Sequence, residues 1–318
     1  MKTRRLGRTD LELTVVGLGT WAIGGSWQFG WGPQDDADSI DTIFRAFELG
    51  INWIDTAPIY GCGHSEEIVG KALGRMGKKA IVATKCGLRW NENREKINDL
   101  SPAGIERECG ESLERLGTDV IDLYQLHWPV PDGQIEHAWE AMGRCVDRGW
   151  VRYLGACNVS VEQIQRLRKV YPVAAVQPPY SILSRGIEDE LLDYCGREGI
   201  GVVCYSPMQK GLLTGKFTKE YISTLAEDDH RLRDRDFIGR RFEKNLALVE
   251  ELKAIAAEYG RTVAQLAIAW TLRRGEITAA IVGARRPGQI EQTAPAGDWE
   301  IDAQLAEKIE KILLSHNL

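Results

Sequence analysis

The sequence predicts a (β/α)8 barrel of the TIM type that forms a single domain over residues 1–318. Eight short apolar segments alternate with eight longer amphipathic segments along the chain. The apolar segments are runs of Val, Ile, Leu and Ala without clean alternation, as in parallel strands covered on both faces. Glycine stands just past four amphipathic segments, at Gly50, Gly117, Gly149 and Gly199, where helices commonly end.

Each unit of the predicted barrel consists of a strand followed by a helix. The strands are predicted at residues 15–19, 53–56, 80–85, 121–127, 151–156, 174–177, 201–205 and 280–283. The helices are predicted at residues 36–49, 65–73, 102–116, 135–148, 161–170, 188–198, 243–259 and 287–292, with a further helix at 302–314. In the helix over 243–259, one apolar stripe is formed by Leu246, Val249, Leu252, Ile255 and Ala256.

Two other architectures are compatible with the length of the chain. A doubly wound sheet would place a glycine fingerprint between its first strand and a helix, but GLGTWAIGG has no clear helix behind it. Two ordinary domains would need a linker, and no low-complexity segment divides the chain. Three long irregular segments, 23–34, 87–100 and 207–239, each follow a strand, on the face where barrels build their active sites.

Composition excludes several classes of function. The net charge of −6 argues against broad binding to nucleic acids or anionic membranes, which requires a basic face. No apolar run approaches the roughly 20 residues of a membrane span. The basic N-terminal segment MKTRRLGRTDLELT has no apolar segment behind it, so we expect no secretory signal and a cytoplasmic location.

The seven cysteines are scattered along the chain without a CxxC pair, at positions 62, 86, 109, 145, 157, 195 and 204. This spacing fits reduced, buried thiols best. The sequence also lacks HExxH, and we expect no metal site.

Four chemically active side chains follow consecutive predicted strands. Asp55 ends the second strand, Tyr60 follows it by five residues, Lys85 ends the third strand and His127 the fourth. A phenol titrates near pH 10, too high for efficient proton exchange near neutrality, and a nearby ammonium lowers its pKa. Asp55 can hold Lys85 charged, and His127 can hydrogen-bond a substrate oxygen. Together these residues predict an acid–base site with Tyr60 as proton donor and acceptor.

These residues lie in longer motifs that resemble the aldo-keto reductase family, in particular bacterial members related to the potassium-channel β subunit. The resemblance runs over nearly the whole chain. Its motifs include IDTAPIYGCGHSEEIVGKAL (54–73), ATKCG (83–87), DLYQLHWP (122–129), CYSPMQKGLLTGKF (204–217) and AIVGARRPGQIEQT (280–293). By this similarity Asp55, Tyr60, Lys85 and His127 match the catalytic tetrad of the family, in agreement with the chemistry of the residues.

The resemblance also implies that NADP(H) binds along the barrel mouth, in contact with Asp55 among other residues. Asn158 and Gln177 match positions that hold the nicotinamide carboxamide, and Tyr205 matches the aromatic residue that stacks on the ring. The remaining cofactor positions in the first turn and in the loop over the pyrophosphate are Gly19, Thr20, Trp21, Ser206, Met208, Lys210, Gly211, Leu212 and Lys216. The adenosine-side positions are Gln289, Gln292 and Thr293, of which Gln292 and Thr293 depart from the usual family residues.

Two guanidiniums follow the eighth predicted strand. Gly283 and Ala284 lead into Arg285 and Arg286, and Pro287 suits the first turn of a helix. Since a helix N-terminus with adjacent arginines is a phosphate site, we expect the 2′-phosphate of NADPH there, although a solvated arginine pair is the alternative.

The sequence therefore predicts an NADP(H)-dependent enzyme that interconverts a carbonyl compound and an alcohol, as a monomer or small homo-oligomer. Besides Tyr60 and His127, the expected walls of the substrate site are Trp21, Trp31, Trp90, Trp128 and Tyr180. One alternative is an NADPH-binding regulatory protein of the channel β-subunit type with little turnover. Another is a barrel enzyme that binds a phosphorylated metabolite at Arg285 and Arg286.

Overall fold

Eight parallel strands close into a barrel in this computed structural model, which describes residues 1–77 and 80–316. In spatial order the barrel strands are β3 (Val16–Gly19), β4 (Trp53–Asp55), β5 (Ile81–Cys86), β8 (Ile121–Leu126), β9 (Val151–Cys157), β10 (Ala175–Gln177), β11 (Gly201–Cys204) and β12 (Ile277–Gly283). The pairing of β12 with β3, from Ala280 with Val16 to Gly283 with Gly19, closes the barrel. The predicted fold class is confirmed, and the strand bounds differ from the predicted ones by one to three residues.

Helices connect the strands and cover the outside of the barrel. They are α1 (Asp36–Glu48), α2 (His64–Met76), α3 (Pro102–Leu116), α4 (Ile135–Asp147), α5 (Val161–Arg168), α6 (Leu191–Glu198), α7 (Lys219–Ile222), α8 (Gly239–Glu258), α9 (Val263–Leu272), α10 (Pro287–Thr293) and α11 (Ala303–Ser315). The four glycines predicted to follow helices all have positive φ, from 63° to 87°. Glycine adopts this left-handed conformation without steric cost.

Three helices differ from the sequence prediction, and one of them, the short α7, lies in the segment 207–239 that was predicted to be irregular. Helix α9 was not predicted, because its ten residues are almost all buried and carry no polar face to give the helical period. On α8 the buried stripe includes Phe242, Asn245 and Leu248, while Leu246 is only partly buried. Among the described residues no helix combines the length and the hydropathy needed to cross a bilayer.

Two short antiparallel hairpins were also missed. One, β1 (Thr3–Arg5) with β2 (Glu12–Thr14), precedes the barrel. The other, β6 (Leu88–Trp90) with β7 (Lys96–Asn98), lies in the segment 87–100 that was predicted to be irregular. Strands of three residues are too short for a periodic pattern, and all of β7 is exposed.

The first hairpin closes the amino end of the barrel. Leu6, Leu11 and Leu13 pack with the inward-facing side chains of the strands, including Trp53. The Trp53 ring fills the space beside β3, where a Cβ on Gly17 would lie 2.0 Å from a ring atom. With this end filled by apolar side chains, access to the barrel is from the carboxyl ends of the strands, where the predicted site residues lie.

Candidate active site

A buried ion pair lies at the carboxyl ends of β4 and β5. Nζ of Lys85 is 2.6 Å from Oδ1 of Asp55 and donates a second hydrogen bond of 2.9 Å to the carbonyl oxygen of Thr56. Lys85 is 1% exposed and Asp55 is 3% exposed. Because β4 and β5 are neighbouring parallel strands, their ends bring the two charges together. Each charge is thereby buried with a partner of opposite sign, as burial requires.

The second carboxylate oxygen of Asp55 accepts hydrogen bonds from two buried glutamines. Gln177 at the end of β10 donates at 2.7 Å, and Gln125 on β8 donates at 3.2 Å. Gln177 also donates to Oε1 of Gln125 at 3.1 Å. Sequence reasoning missed Gln125, although an amide inside the apolar run IDLYQL is the signal that could have found it.

Tyr60 lies in the turn between β4 and α2, next to the ion pair. Nζ of Lys85 is 5.1 Å from the centre of the Tyr60 ring. The turn packs closely on the first long loop, since a Cβ on Gly61 would lie 2.0 Å from the carbonyl oxygen of Gly24. Gly61 also has a φ of 66°, so this position favours glycine on both counts. The contact fixes the position of Tyr60 relative to the barrel.

The pKa of Tyr60 differs from the sequence prediction. Burial raises the pKa of Tyr60 to about 12, while Lys85 lowers it and Asp55 raises it. Lys85 thus acts in the predicted direction, but the predicted net lowering is wrong. Desolvation of the phenolate outweighs the ammonium. Tyr60 is therefore a protonated phenol at neutral pH.

Two further titratable groups in the site, Lys85 and His127, have shifted pKa values. Burial works to lower the pKa of Lys85, but Asp55 and then Tyr60 outweigh burial and raise it, so the ammonium stays charged. Burial, followed by the charges of Lys85 and Lys96, holds the pKa of His127 well below 6.5. The imidazole is therefore neutral at pH 7, and its ring centre is 5.8 Å from that of Tyr60.

A cavity of about 730 Å³ opens above these residues at the carboxyl ends of the strands. Most of the predicted site residues line it together. They are Gly19, Thr20, Trp21, Asp55, Tyr60, His127, Trp128, Asn158, Gln177, Tyr205, Ser206, Met208, Lys210, Gly211, Lys216, Gly283, Arg285, Gln289, Gln292 and Thr293. The lining also includes Trp31, which was expected as a substrate wall.

The structure places five predicted residues outside this lining. Lys85 lies beneath it, bonded to Asp55. Leu212 is buried in a separate apolar cluster with Phe217, Phe237 and Phe242. Trp90 packs beside Arg115, whose guanidinium carbon is 5.9 Å from the centre of the Trp90 ring. Tyr180 is fully buried against Trp270, so the expectation that it forms a substrate wall is not met. The fifth residue, Arg286, is exposed and is not among the residues that line the cavity.

The three residues expected around the nicotinamide are bonded to one another or to neighbouring strand ends. Nδ2 of Asn158 donates to the carbonyl oxygen of His127 at 3.1 Å, and Oδ1 accepts a hydrogen bond of 2.8 Å from the Tyr205 hydroxyl. The Asn158 backbone N–H donates to the carbonyl oxygen of Gln177 at 3.2 Å. Asn158 has a φ of 58°, a left-handed conformation that is unusual outside glycine and common at functional sites.

The two arginines after β12 have different surroundings. Arg285 donates from Nε to Oε1 of Gln34 at 2.6 Å, from Nη1 to the carbonyl oxygen of Trp31 at 2.9 Å, and from Nη2 to that of Pro33. It therefore holds the first long loop against the barrel. Arg286 has a side chain that is 76% exposed, and its Nε is 3.5 Å from Oδ2 of Asp38. The predicted phosphate site thus has one exposed guanidinium and one that is bonded to a loop.

The first and third long loops meet over the cavity at His230. Its backbone N and its Nδ1 are each 3.2 Å from the carbonyl oxygen of Gly30. Its ring centre lies 4.7 Å from that of Trp21 and 5.0 Å from that of Trp31. The sequence placed the third loop, 207–239, at the active-site face but assigned no role to any residue that follows Lys216. The contact of His230 with the first loop depends on how two irregular segments fold together, so no local pattern predicts it.

Comparison with known proteins shows the family. The model of the aldo/keto reductase family matches residues 15–314. Aldo-keto reductase YhdN of Bacillus subtilis is 41% identical over 316 residues, which cover 98% of this chain and 94% of the relative. The NADH-specific methylglyoxal reductase of Escherichia coli is 36% identical over 98% of this chain and 100% of its own length.

A solved structure gives the same result. The glycerol dehydrogenase AKR11B4 from Gluconobacter oxydans is 39% identical, has a TM-score of 0.90, and the match covers 99% of this chain and 96% of that one. The chain belongs to the aldo/keto reductase family, whose members are oxidoreductases that use a nicotinamide cofactor and act on small carbonyl compounds.

Proposed function

We propose that this protein interconverts an aldehyde, ketone or sugar and the corresponding alcohol with NADP(H), and that Tyr60 delivers or removes the proton. The observation that carries the proposal is the buried Lys85–Asp55 ion pair directly beside Tyr60, below a cavity that the tyrosine lines. A buried ammonium next to a phenol is the arrangement that stabilises a phenolate when the proton leaves.

The residues along the cavity fit a nicotinamide dinucleotide. The volume of the cavity, about 730 Å³, is within the range of sites for small molecules and cofactors. Asn158, Gln177 and Tyr205 would hold the nicotinamide, and the lining segment from Ser206 to Gly211, together with Lys216, would hold the pyrophosphate. When bound, the cofactor supplies the hydride chemistry, and the protein supplies orientation and electrostatics.

The proton chemistry follows from the charges around Tyr60. In the reducing direction the phenol is protonated at neutral pH and donates its proton to the substrate oxygen, while Lys85 stabilises the phenolate that forms. Asp55 keeps Lys85 charged and in place. The neutral His127 would hydrogen-bond the same substrate oxygen and orient the carbonyl. In the oxidising direction the phenolate accepts the proton.

The choice of NADP(H) over NAD(H) is part of the proposal. Arg286 stands one residue before α10 and its side chain is exposed. Its neighbours in sequence Arg285 and Gln289 line the cavity, at the end where Gln289, Gln292 and Thr293 would surround the adenosine. A guanidinium at a helix N-terminus suits the 2′-phosphate. One relative is named NADH-specific, so the contribution of Arg286 has to be measured directly.

The proposal is tested by turnover. NADPH absorbance is followed with a panel that contains methylglyoxal, glyceraldehyde and nitrobenzaldehyde. We expect consumption of NADPH with at least one of these carbonyls. Tight NADPH binding, seen by cofactor fluorescence, without consumption across the panel would contradict the proposal and favour a regulatory binding protein.

A further inference from the structure

Gln125 and Gln177 form a hydrogen-bonded pair beneath the cavity, and Asp55 determines which way both amides point. Oδ2 of Asp55 accepts from Nε2 of Gln177 at 2.7 Å and from Nε2 of Gln125 at 3.2 Å. The carboxylate of Asp55 is paired with the ammonium of Lys85, so it is ionised and can only accept. Each glutamine must therefore turn its NH₂ group towards Asp55.

Gln125 also takes up the second N–H of Gln177. Oε1 of Gln125 accepts from Nε2 of Gln177 at 3.1 Å, and the thiol of Cys157, another donor, lies 3.9 Å from the same oxygen. An amide nitrogen carries two N–H groups, so both N–H groups of Gln177 are engaged, one by Asp55 and one by Gln125. Gln125 is fully buried and is not among the residues that line the cavity, whereas Gln177 lines it.

The carbonyl oxygen of the Gln177 amide is left for a ligand. Oε1 of Gln177 accepts no hydrogen bond from the described residues, and it is not sealed from solvent. Asn158 uses one N–H of Nδ2 for the carbonyl oxygen of His127, which leaves its other N–H without a partner in the described part of the chain. The lining therefore offers one acceptor and one donor here. A primary carboxamide matches both, since its NH₂ group donates and its oxygen accepts.

We infer that Gln125 is a positioning residue for the cofactor, because it holds the Gln177 amide with Oε1 available to the NH₂ group of the nicotinamide carboxamide. Without Gln125, one N–H of Gln177 loses its buried partner, which is costly. The amide then gains by turning this N–H towards the cavity, and the cavity no longer selects a carboxamide. The inference rests on the proposed function and gives a role to a residue beneath the cofactor site.

The test compares NADP⁺ with its acetylpyridine analogue, in which a methyl group replaces the NH₂ group of the carboxamide. The quantity measured is the ratio of their dissociation constants. Titration of the intrinsic tryptophan fluorescence gives both constants, since Trp21, Trp31 and Trp128 line the cavity. The analogue keeps the carbonyl oxygen and the phosphates of the natural cofactor, so the ratio isolates the contact with Gln177. Binding is measured without a carbonyl substrate and does not depend on turnover.

Three variants separate a positioning role from a structural one. Gln125→Met keeps the length of the side chain but carries no donor for Asp55 and only a weak acceptor for Gln177. Gln125→Glu restores both bonds, because a carboxyl beside Asp55 is held protonated and donates through its O–H while its other oxygen accepts from Gln177. The control is Tyr124→Phe, which removes another buried hydrogen bond from β8, the bond of 3.3 Å from the Tyr124 hydroxyl to the carbonyl oxygen of Ile105.

We expect the wild type to bind NADP⁺ roughly tenfold more tightly than the analogue, which corresponds to about one hydrogen bond. In Gln125→Met the preference should fall to within about threefold, because the Gln177 amide is no longer held in one orientation. Gln125→Glu and Tyr124→Phe should keep the wild-type ratio.

Three results would overturn the inference: no preference in the wild type, a ratio that Gln125→Met leaves unchanged, or an equal fall in Tyr124→Phe. If NADPH is still consumed with a carbonyl in that case, the proposed function stands without the role of Gln125. A wild type that binds neither compound would overturn both.

Discussion

Gln177 donates a hydrogen bond of 2.7 Å from Nε2 to Oδ2 of Asp55, the carboxylate that also holds Lys85. The residue expected at the nicotinamide is thus directly bonded to the ion pair expected to serve the proton transfer. Cofactor position and the charge near Tyr60 are linked through one carboxylate, and substitution at Gln177 should therefore disturb both.

Replacing Gln177 with Met keeps the length of the side chain and removes its N–H donors. We expect cofactor binding to weaken and kcat to fall, each by roughly tenfold, because Asp55 loses one of its hydrogen bonds. Fluorescence titration of NADPH and steady-state kinetics measure the two effects. The matched control is Gln134→Met, at an exposed position. Weaker cofactor binding with an unchanged kcat would show that the two functions are not linked.

Replacing Lys85 with Met should abolish turnover and leave the Asp55 charge buried without its partner. Removal of one member of a buried ion pair costs about 3–5 kcal/mol of unfolding free energy. The double variant Asp55→Asn with Lys85→Met should recover much of that stability but no activity, since the unpaired charge is gone while the ammonium is still missing. Urea unfolding measures the stability of both variants. The control Lys311→Met breaks a pair that is exposed on both sides and should change little. Equal instability of the single and double variants would contradict this account.

The rate of carbonyl reduction should be flat across neutral and moderately alkaline pH. Reduction uses protonated Tyr60, whose pKa is raised to about 12, so the rate should fall only as the pH approaches that value. Oxidation uses the phenolate, so its rate should rise with pH over the same range. The profile of kcat/KM reports the groups of the free enzyme and checks both directions. A reduction rate that falls with a midpoint near pH 8 would contradict this, because it would show that the effect of Lys85 on the Tyr60 pKa outweighs the effect of burial.

Stability should decrease with pH because of Glu108, which lies buried behind β5. Oε2 of Glu108 accepts a hydrogen bond of 2.7 Å from the backbone N–H of Gly87, but burial raises the pKa of this carboxyl to about 8. The folded state therefore favours the protonated carboxyl. Its contribution is fully present below the unfolded-state pKa near 4.5 and is lost as pH rises through about 8.

The variant Glu108→Gln should remove this pH dependence. It should match the wild type near pH 4.5 and be more stable at pH 9 by an amount on the order of a few kcal/mol. Denaturant unfolding at the two pH values gives the comparison. If the difference in unfolding free energy between the wild type and Glu108→Gln were the same at pH 5 and at pH 9, the result would contradict a buried neutral carboxyl.

Substitution of the two arginines after β12 should have different effects on the binding of NADPH and NADH. Arg286→Ala should weaken NADPH binding roughly tenfold and leave NADH binding unchanged, because only NADPH carries the 2′-phosphate. Arg285→Ala should weaken both cofactors, since its guanidinium holds the loop of Trp31, Pro33 and Gln34 over the cavity. Titration of both cofactors decides this. An equal effect of Arg286→Ala on NADPH and NADH would refute the 2′-phosphate assignment.

The barrel could be predicted because each strand and its helix produce a local pattern. Helix α9 could not, since a helix buried on all sides has no amphipathic period. The neighbourhood of Asp55, Tyr60, Lys85 and His127 followed from their positions after consecutive strands. The net pKa of Tyr60 did not, because it is decided by burial rather than by the nearest charge. His230 and the loop contacts of Arg285 depend on how two long irregular segments fold together, which no short-range pattern encodes.

The most direct test of the central claim is the turnover of Tyr60→Phe. This change removes one hydroxyl group and keeps the ring that faces the cavity. The account predicts that NADPH consumption with any carbonyl accepted by the wild type is nearly abolished, while the affinity for NADPH, measured by fluorescence titration, stays close to that of the wild type. Turnover of Tyr60→Phe at the wild-type rate would contradict the assignment of Tyr60 as the proton donor.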